Sequence, residues 1–121
     1  MSGSPAWAAG KNAYVDTADI FGIFHGEAWF YHNGDTVKAH DLAKDGKRVV
    51  LRTWAYDPPA PGHMPPDSQI EKRRLDVTGG TGSYGTANYN FPEGWRVRIQ
   101  ICLQDGYDGT PTQCEISYGV A

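Results

Sequence analysis

Along the chain, short apolar or alternating stretches are separated by turn residues, and none of them keeps a helical period. Residues 14–24 (YVDTADIFGIF) are apolar and β-prone, interrupted by Gly22. Residues 27–32 (EAWFYH) read as a strand ended by Asn33-Gly34, the strongest short-range hairpin signal. Residues 35–41 (DTVKAHD) alternate, residues 42–44 have room for one helical turn, and Asp45-Gly46 reverses the chain again. Residues 47–56 (KRVVLRTWAY) make the longest strand. The stretch 57–67 (DPPAPGHMPPD) carries five prolines and cannot enter a sheet interior, because proline has no N–H to donate. It reads as an exposed, polyproline-like loop. Alternation resumes at 70–77, and GGTGS turns the chain into a strand over 83–91. Pro92-Glu93-Gly94 leads into residues 95–104, and residues 112–120 close the fold.

Seven to nine short strands without crossover helices predict an all-β, single-domain antiparallel sandwich, immunoglobulin-like or similar, with a small β-barrel as the alternative. The domain is expected over residues 13–121, with 1–12 as a flexible N-terminal segment. Trp95, Val97, Ile99, Ile101 and Leu103 share one strand face and are assigned to the core; Arg96, Arg98, Gln100 and Gln104 point away with Cys102. A regular hairpin pairing Cys102 with Cys114 would turn Glu115 inward beside Ile101, a conflict that a bulge or a non-adjacent pairing would remove.

Composition shifts the emphasis. Leu, Ile, Val and Phe number only 21, but the net charge is −3, and 4 Trp, 7 Tyr and 4 Phe supply large surfaces to bury. Disorder requires low hydrophobicity together with strong self-repulsion, so the chain is expected to fold, with an aromatic core. No apolar run reaches the ~20 residues of a membrane span. The mixed charge gives no general attraction to nucleic acid or to anionic membranes.

Cys102 and Cys114 enclose a Gly- and Pro-containing loop and are expected to form a disulfide across the base of a hairpin; two unrelated buried thiols are the alternative. The N-terminal MSGSPAWAAGKN has no basic and apolar leader, but Ala6-Trp7-Ala8-Ala9 resembles the tail around a signal-peptidase site. With the disulfide, this favours a secreted protein.

NGDTVKAHDLAKDGKRVVL, followed downstream by NFPEGWRVRIQICLQDG and a second Cys, resembles small secreted actinobacterial proteins. There, a GD-x-V-x-x-x-D-x-x-x-DGK-x-V hairpin precedes an F-x-EG-x-x-V-x-x-x-x-C strand and a final Cys-bearing strand. The resemblance spans residues 29–121 and implies a β-sandwich. Many such proteins carry Cys in the first hairpin, where this chain has Ala39, His40 and Ala43. Some serve as adaptors in multi-subunit antibacterial toxin particles, including umbrella-shaped ones.

Catalytic signatures are missing from the sequence. There is no G-x-S-x-G, and GGTGSYG lacks the strand-to-helix setting of a phosphate loop. His25, Glu27, His32, His40 and Asp41 match no zinc pattern, and the Asp-Gly runs read as turns rather than calcium loops. No cofactor is expected. Lys72-Arg73-Arg74 with Arg52, Arg96 and Arg98 suggests a basic face, split by alternation so that Arg73 points away from Lys72 and Arg74. The aromatic pairs Trp29/Tyr31 and Trp54/Tyr56, the latter beside Arg52, are candidate binding residues, together with His63 and Met64 of the proline loop. The same rings are also suited to filling a core. The residues before Glu27 read either as an ordinary first strand or as an arm that adds to another protein's sheet edge.

The expectation is a secreted, non-catalytic protein that acts by binding another secreted or surface protein, as adaptor, inhibitor or toxin-particle subunit. A carbohydrate-binding module using the same aromatics is the second reading, and a small-molecule enzyme with an unmarked pocket is the third. Nucleic acid and membrane are not expected partners.

Overall fold

The computed structural model describes residues 10–57 and 65–121. Its strands are β1 (Ala13–Ala18), β2 (Phe24–Tyr31), β3 (Thr36–Asp41), β4 (Arg48–Tyr56), β5 (Glu71–Val77), β6 (Tyr84–Asn88), β7 (Arg96–Gln104) and β8 (Thr112–Val120). They form two antiparallel four-stranded sheets, ordered β1-β2-β3-β6 and β5-β4-β7-β8. The fold is a β-sandwich. One edge of each sheet meets the other where Lys11 and Val120 exchange backbone hydrogen bonds of 2.9 and 3.0 Å, yet the sheets do not close into a barrel.

The single helical turn for which residues 42–44 have room does not form. Leu42 N–H donates to the His25 carbonyl and prolongs the hairpin pairing by one bond, after which Ala43 N–H donates to the Asp41 carboxylate and Asp45 N–H to the Ala43 carbonyl in short local turns. The stretch 14–24 is divided: β1 ends at Ala18, residues 19–23 turn, and Phe24 starts β2.

The core corrects a second expectation, that of an aromatic interior. Large aliphatics of the second sheet, Leu51, Ile99, Ile101 and Leu103, pack on small residues of the first, Ala13, Val15, Ala28, Val37 and Ala39, with Phe30 and Phe91 as the fully enclosed rings. Small side chains on one sheet leave room for the large ones on the other, so aliphatic interdigitation fills the centre, with Tyr89 and Trp95 packed against it only partly buried. Gly119 marks a close approach between the sheets: a Cβ there would lie 2.5 Å from the Lys11 carbonyl oxygen and 3.0 Å from the Phe30 ring.

The inward pattern of β7 is as expected, with Val97, Ile99, Ile101 and Leu103 buried and Trp95 partly buried against them. The disulfide joins Cys102 to Cys114 with Cα atoms 4.2 Å apart. A bulge accommodates it. Ile101 pairs with Glu115 and Leu103 with Thr112, so Gln113 and Cys114 together oppose Cys102, with Gln113 at φ 51°. Glu115 faces the inner side, but β8 is an edge strand and the carboxylate remains exposed.

The loops at residues 19–23, 42–47, 78–83 and 105–111 all lie at one end of the sandwich, because each joins an odd-numbered strand to the next even one.

Candidate functional site

At that end, the β1–β2 turn exposes four bulky apolar residues. Ile20 is 93% exposed, Phe21 81%, Ile23 58% and Phe24 52%. A folded chain with scarce aliphatics gains nothing internally from placing them in water. Hydrogen bonds order the turn. The Asp19 carboxylate accepts from Phe21 N–H (2.8 Å) and Ile23 N–H (3.1 Å), Gly22 N–H donates to the Asp19 carbonyl (3.0 Å), and Gly22 takes φ 78°.

His25 anchors the base of this turn. Its Nε2 lies 3.0 Å from Asp19 Oδ2 and its Nδ1 2.9 Å from Asp45 Oδ2, so one ring ties the tip to the β3–β4 loop. The hydrogen bonds to Asp45 and Asp19 raise the His25 pKa above its ordinary value, and the bond from His25 lowers that of Asp19. Beside it, an open cleft of about 320 Å³ is lined by Asp41, Asp45, Arg48, Thr78 and Thr81 among others. Asp41 is buried, one of its carboxylate oxygens has no partner, and burial raises its pKa.

The outer face of the first sheet carries Trp29 and Tyr31 on β2, with Tyr14 packed 5.5 Å from Trp29 and Lys38 over the Trp29 and Tyr84 rings. One row across this face sets Glu27 beside His40 and Tyr84: Glu27 contacts His40 Nδ1 (2.9 Å), whose ring stacks on Tyr84, and Tyr14 O–H donates to Glu27 (2.9 Å) from the adjacent row. Burial, helped by the hydrogen bond to Glu27, raises the Tyr14 pKa. His25 and Glu27 thus share a strand face but engage different partners. Among the described residues, no group of three or more His, Cys, Asp or Glu side chains is placed to hold a metal ion.

The outer face of the second sheet carries Arg52, Trp54 and Tyr56. The pairing sets Lys72, Trp54, Arg98 and Tyr118 side by side in one row, and Arg74, Arg52, Gln100 and Ile116 in the next. Arg73 sits on the other side of β5, as alternation predicted. Tyr56 is buried, as are Val50 and Cys102 on the same face.

The candidate residues therefore separate. Trp29 and Tyr31 lie on one outer face, and Arg52, Trp54 and Tyr56 on the opposite one; His63 and Met64 lie outside the described residues, as do residues 1–9. Sequence reasoning placed the apolar tip inside a strand-like stretch. The signal for it was Asp19 three residues before Gly22, a turn pairing masked by the surrounding apolar residues. No family model matches the chain, and no curated protein or solved structure matches it either.

Proposed function

We infer that this chain is a secreted, non-catalytic binding protein that anchors on another protein through the apolar tip at residues 20–24. The observation that carries this reading is the exposure of Ile20, Phe21, Ile23 and Phe24 on one ordered turn. A preordered apolar knob loses little conformational entropy when a partner's pocket closes over it, and bulky buried side chains dominate binding energy. At the base of the tip, Asp19 and Asp45 are both held by His25, so the turn is fixed before a partner arrives. The disulfide is compatible with an extracellular protein. The resemblance to small secreted actinobacterial proteins supports an adaptor role, with membership of an antibacterial toxin particle as its most specific form.

The test is capture from the culture supernatant of the producing cells, with wild type and Phe21→Ser compared, and with a photo-crosslinker placed at Ile20. Wild type is expected to retain and crosslink a defined protein that Phe21→Ser loses, while the two melt within a degree or two of each other because Phe21 packs on little. Equal capture by both would defeat the reading. So would binding of the wild type to neutral lipid vesicles in place of protein.

A further inference from the structure

His25 stands between two carboxylates, and that placement sets its charge. Its Nε2 lies 3.0 Å from Asp19 Oδ2 and its Nδ1 2.9 Å from Asp45 Oδ2, with the ring and both carboxylates largely shielded from solvent. A carboxylate only accepts, and a neutral imidazole has a single N–H. Both contacts are hydrogen bonds only when both ring nitrogens carry protons, so the intact clamp contains an imidazolium. The bonds to Asp45 and Asp19 accordingly hold the His25 pKa above its ordinary 6.5. From β3, the buried Asp41 carboxyl interacts electrostatically with both His25 and Asp45.

The clamp crosses the point where the apolar tip joins the sandwich. The β1–β2 register shifts between Thr17 and Ala18, so regular pairing breaks just before the turn. Beyond it, residues 19–23 hold one another. Asp19 N–H donates to the Ile23 carbonyl (3.0 Å), and Asp19 Oδ1 accepts from Phe21 N–H and Ile23 N–H. Those bonds shape the turn without fastening it to the β3–β4 loop. His25 does the fastening, because Asp45 is itself fixed in that loop by Lys47 N–H (2.9 Å).

We propose that the apolar tip is a proton-gated element: the His25 imidazolium locks it in one direction for docking, and loss of the ring proton frees it to swing on its base. A neutral ring donates to one carboxylate and turns a lone pair toward the other, which repels it. The Asp19 side gives way, since the exposed residues 20–24 have little else to hold them. The tip then keeps its turn but loses its fixed direction. A partner must order it on binding, which weakens docking about tenfold, the scale of one charge-assisted hydrogen bond. The gate rests on the reading of the tip as the docking element, and adds the condition under which docking is strong, a pH below the folded His25 pKa.

The experiment follows the intact oxidised protein by NMR between about pH 6 and about pH 9. The His25 ring is expected to show two N–H signals at the lower pH and one at the higher. Along the same titration, the backbone Cα order parameters of residues 20–23 are expected to fall from about 0.85 to below about 0.6. Two variants move in opposite directions. His25→Gln is expected to leave the tip loose throughout. Asp45→Asn keeps the Lys47 bond through its carbonyl oxygen and turns an amide donor toward Nδ1, so that a neutral ring serves both partners; its tip is expected to stay rigid at the higher pH. His40→Gln removes another titrating ring, one held by Glu27, and is expected to leave the transition unchanged. Melting curves confirm folding, and Asp45→Asn carries the test should His25→Gln fail to fold. Capture from culture supernatant at both pH values separates the two readings. No capture at either pH, with the NMR transition intact, defeats the docking reading and leaves the gate standing. The gate is overturned by a tip equally rigid at both pH values, by a single ring N–H at the lower pH, or by loosening that Asp45→Asn does not prevent. Capture of equal strength at both pH values overturns it as well.

Discussion

Replacing Cys102 and Cys114 by alanine removes the covalent tie across the β7–β8 bulge. The bridge closes a loop with a sequence separation of 12. The chain-entropy relation assigns a loop of that size about 3 kcal/mol at 25 °C. Cys102 is also fully buried beside Val50, so truncation to Ala loses roughly a further 1 kcal/mol of packing. For a chain of 121 residues, the sum corresponds to a fall in melting temperature of roughly 12–20 °C. Guanidinium unfolding followed by Trp fluorescence measures it, with the reduced wild type separating the loop-closure part from the packing part. The double variant should also unfold with a steeper denaturant dependence, because its denatured chain is less constrained. A loss below about 1 kcal/mol would refute the reasoning. The loop would then be held by its other contacts, in which Gln104 Nε2 donates to the Gly106 carbonyl (3.0 Å) and Arg74 to the Tyr107 carbonyl (2.9 Å).

Three further outcomes are expected. Gly119→Ala places a methyl against the Lys11 carbonyl and the Phe30 ring, and should cost about 1–3 kcal/mol in a denaturant titration. Ile101→Ala opens a cavity in the fully enclosed core and should cost about 2–5 kcal/mol by the same assay. The His25 clamp is pH-dependent in a defined direction. Its folded pKa lies above 6.5, so its stabilisation is complete below that value and is lost as pH rises through the folded pKa; the lowered Asp19 contribution is lost only as pH falls below 3.8. The stability difference between wild type and His25→Gln should therefore be largest between roughly pH 4 and 6.5 and shrink toward pH 9. A difference that grows with pH would contradict the clamp.

Much of the strand order was legible because local signals agreed. Asn33-Gly34, Asp45-Gly46 and Pro92-Glu93-Gly94 each stop a run of alternating residues, and β8 matches its expected span, residues 112–120. Val97, Ile99, Ile101 and Leu103 face the core on one side of β7, with intermediate burial at Arg98 and Gln100 between them; Cys102 and Gln104 are buried on the other side. The β1–β2 tip was illegible because exposed apolar residues imitate a buried strand, and only packing shows that none of the described residues covers them.

Local signals suffice for an all-β chain, its turns, the inward face of β7 and the closeness of the two cysteines, since these depend on residues near one another along the chain. Tertiary structure alone decided which sheet each strand joins, and so which faces exist. Arg98 and Trp54 are remote in sequence, and only the β4–β7 register stacks them. Likewise, small residues on the first sheet admit large aliphatics from the second, which leaves Phe30 and Phe91 as the enclosed rings of the core and most other described rings outside it. Core filling and surface charge are sums over strands distant in sequence, so neither can be read from any single stretch.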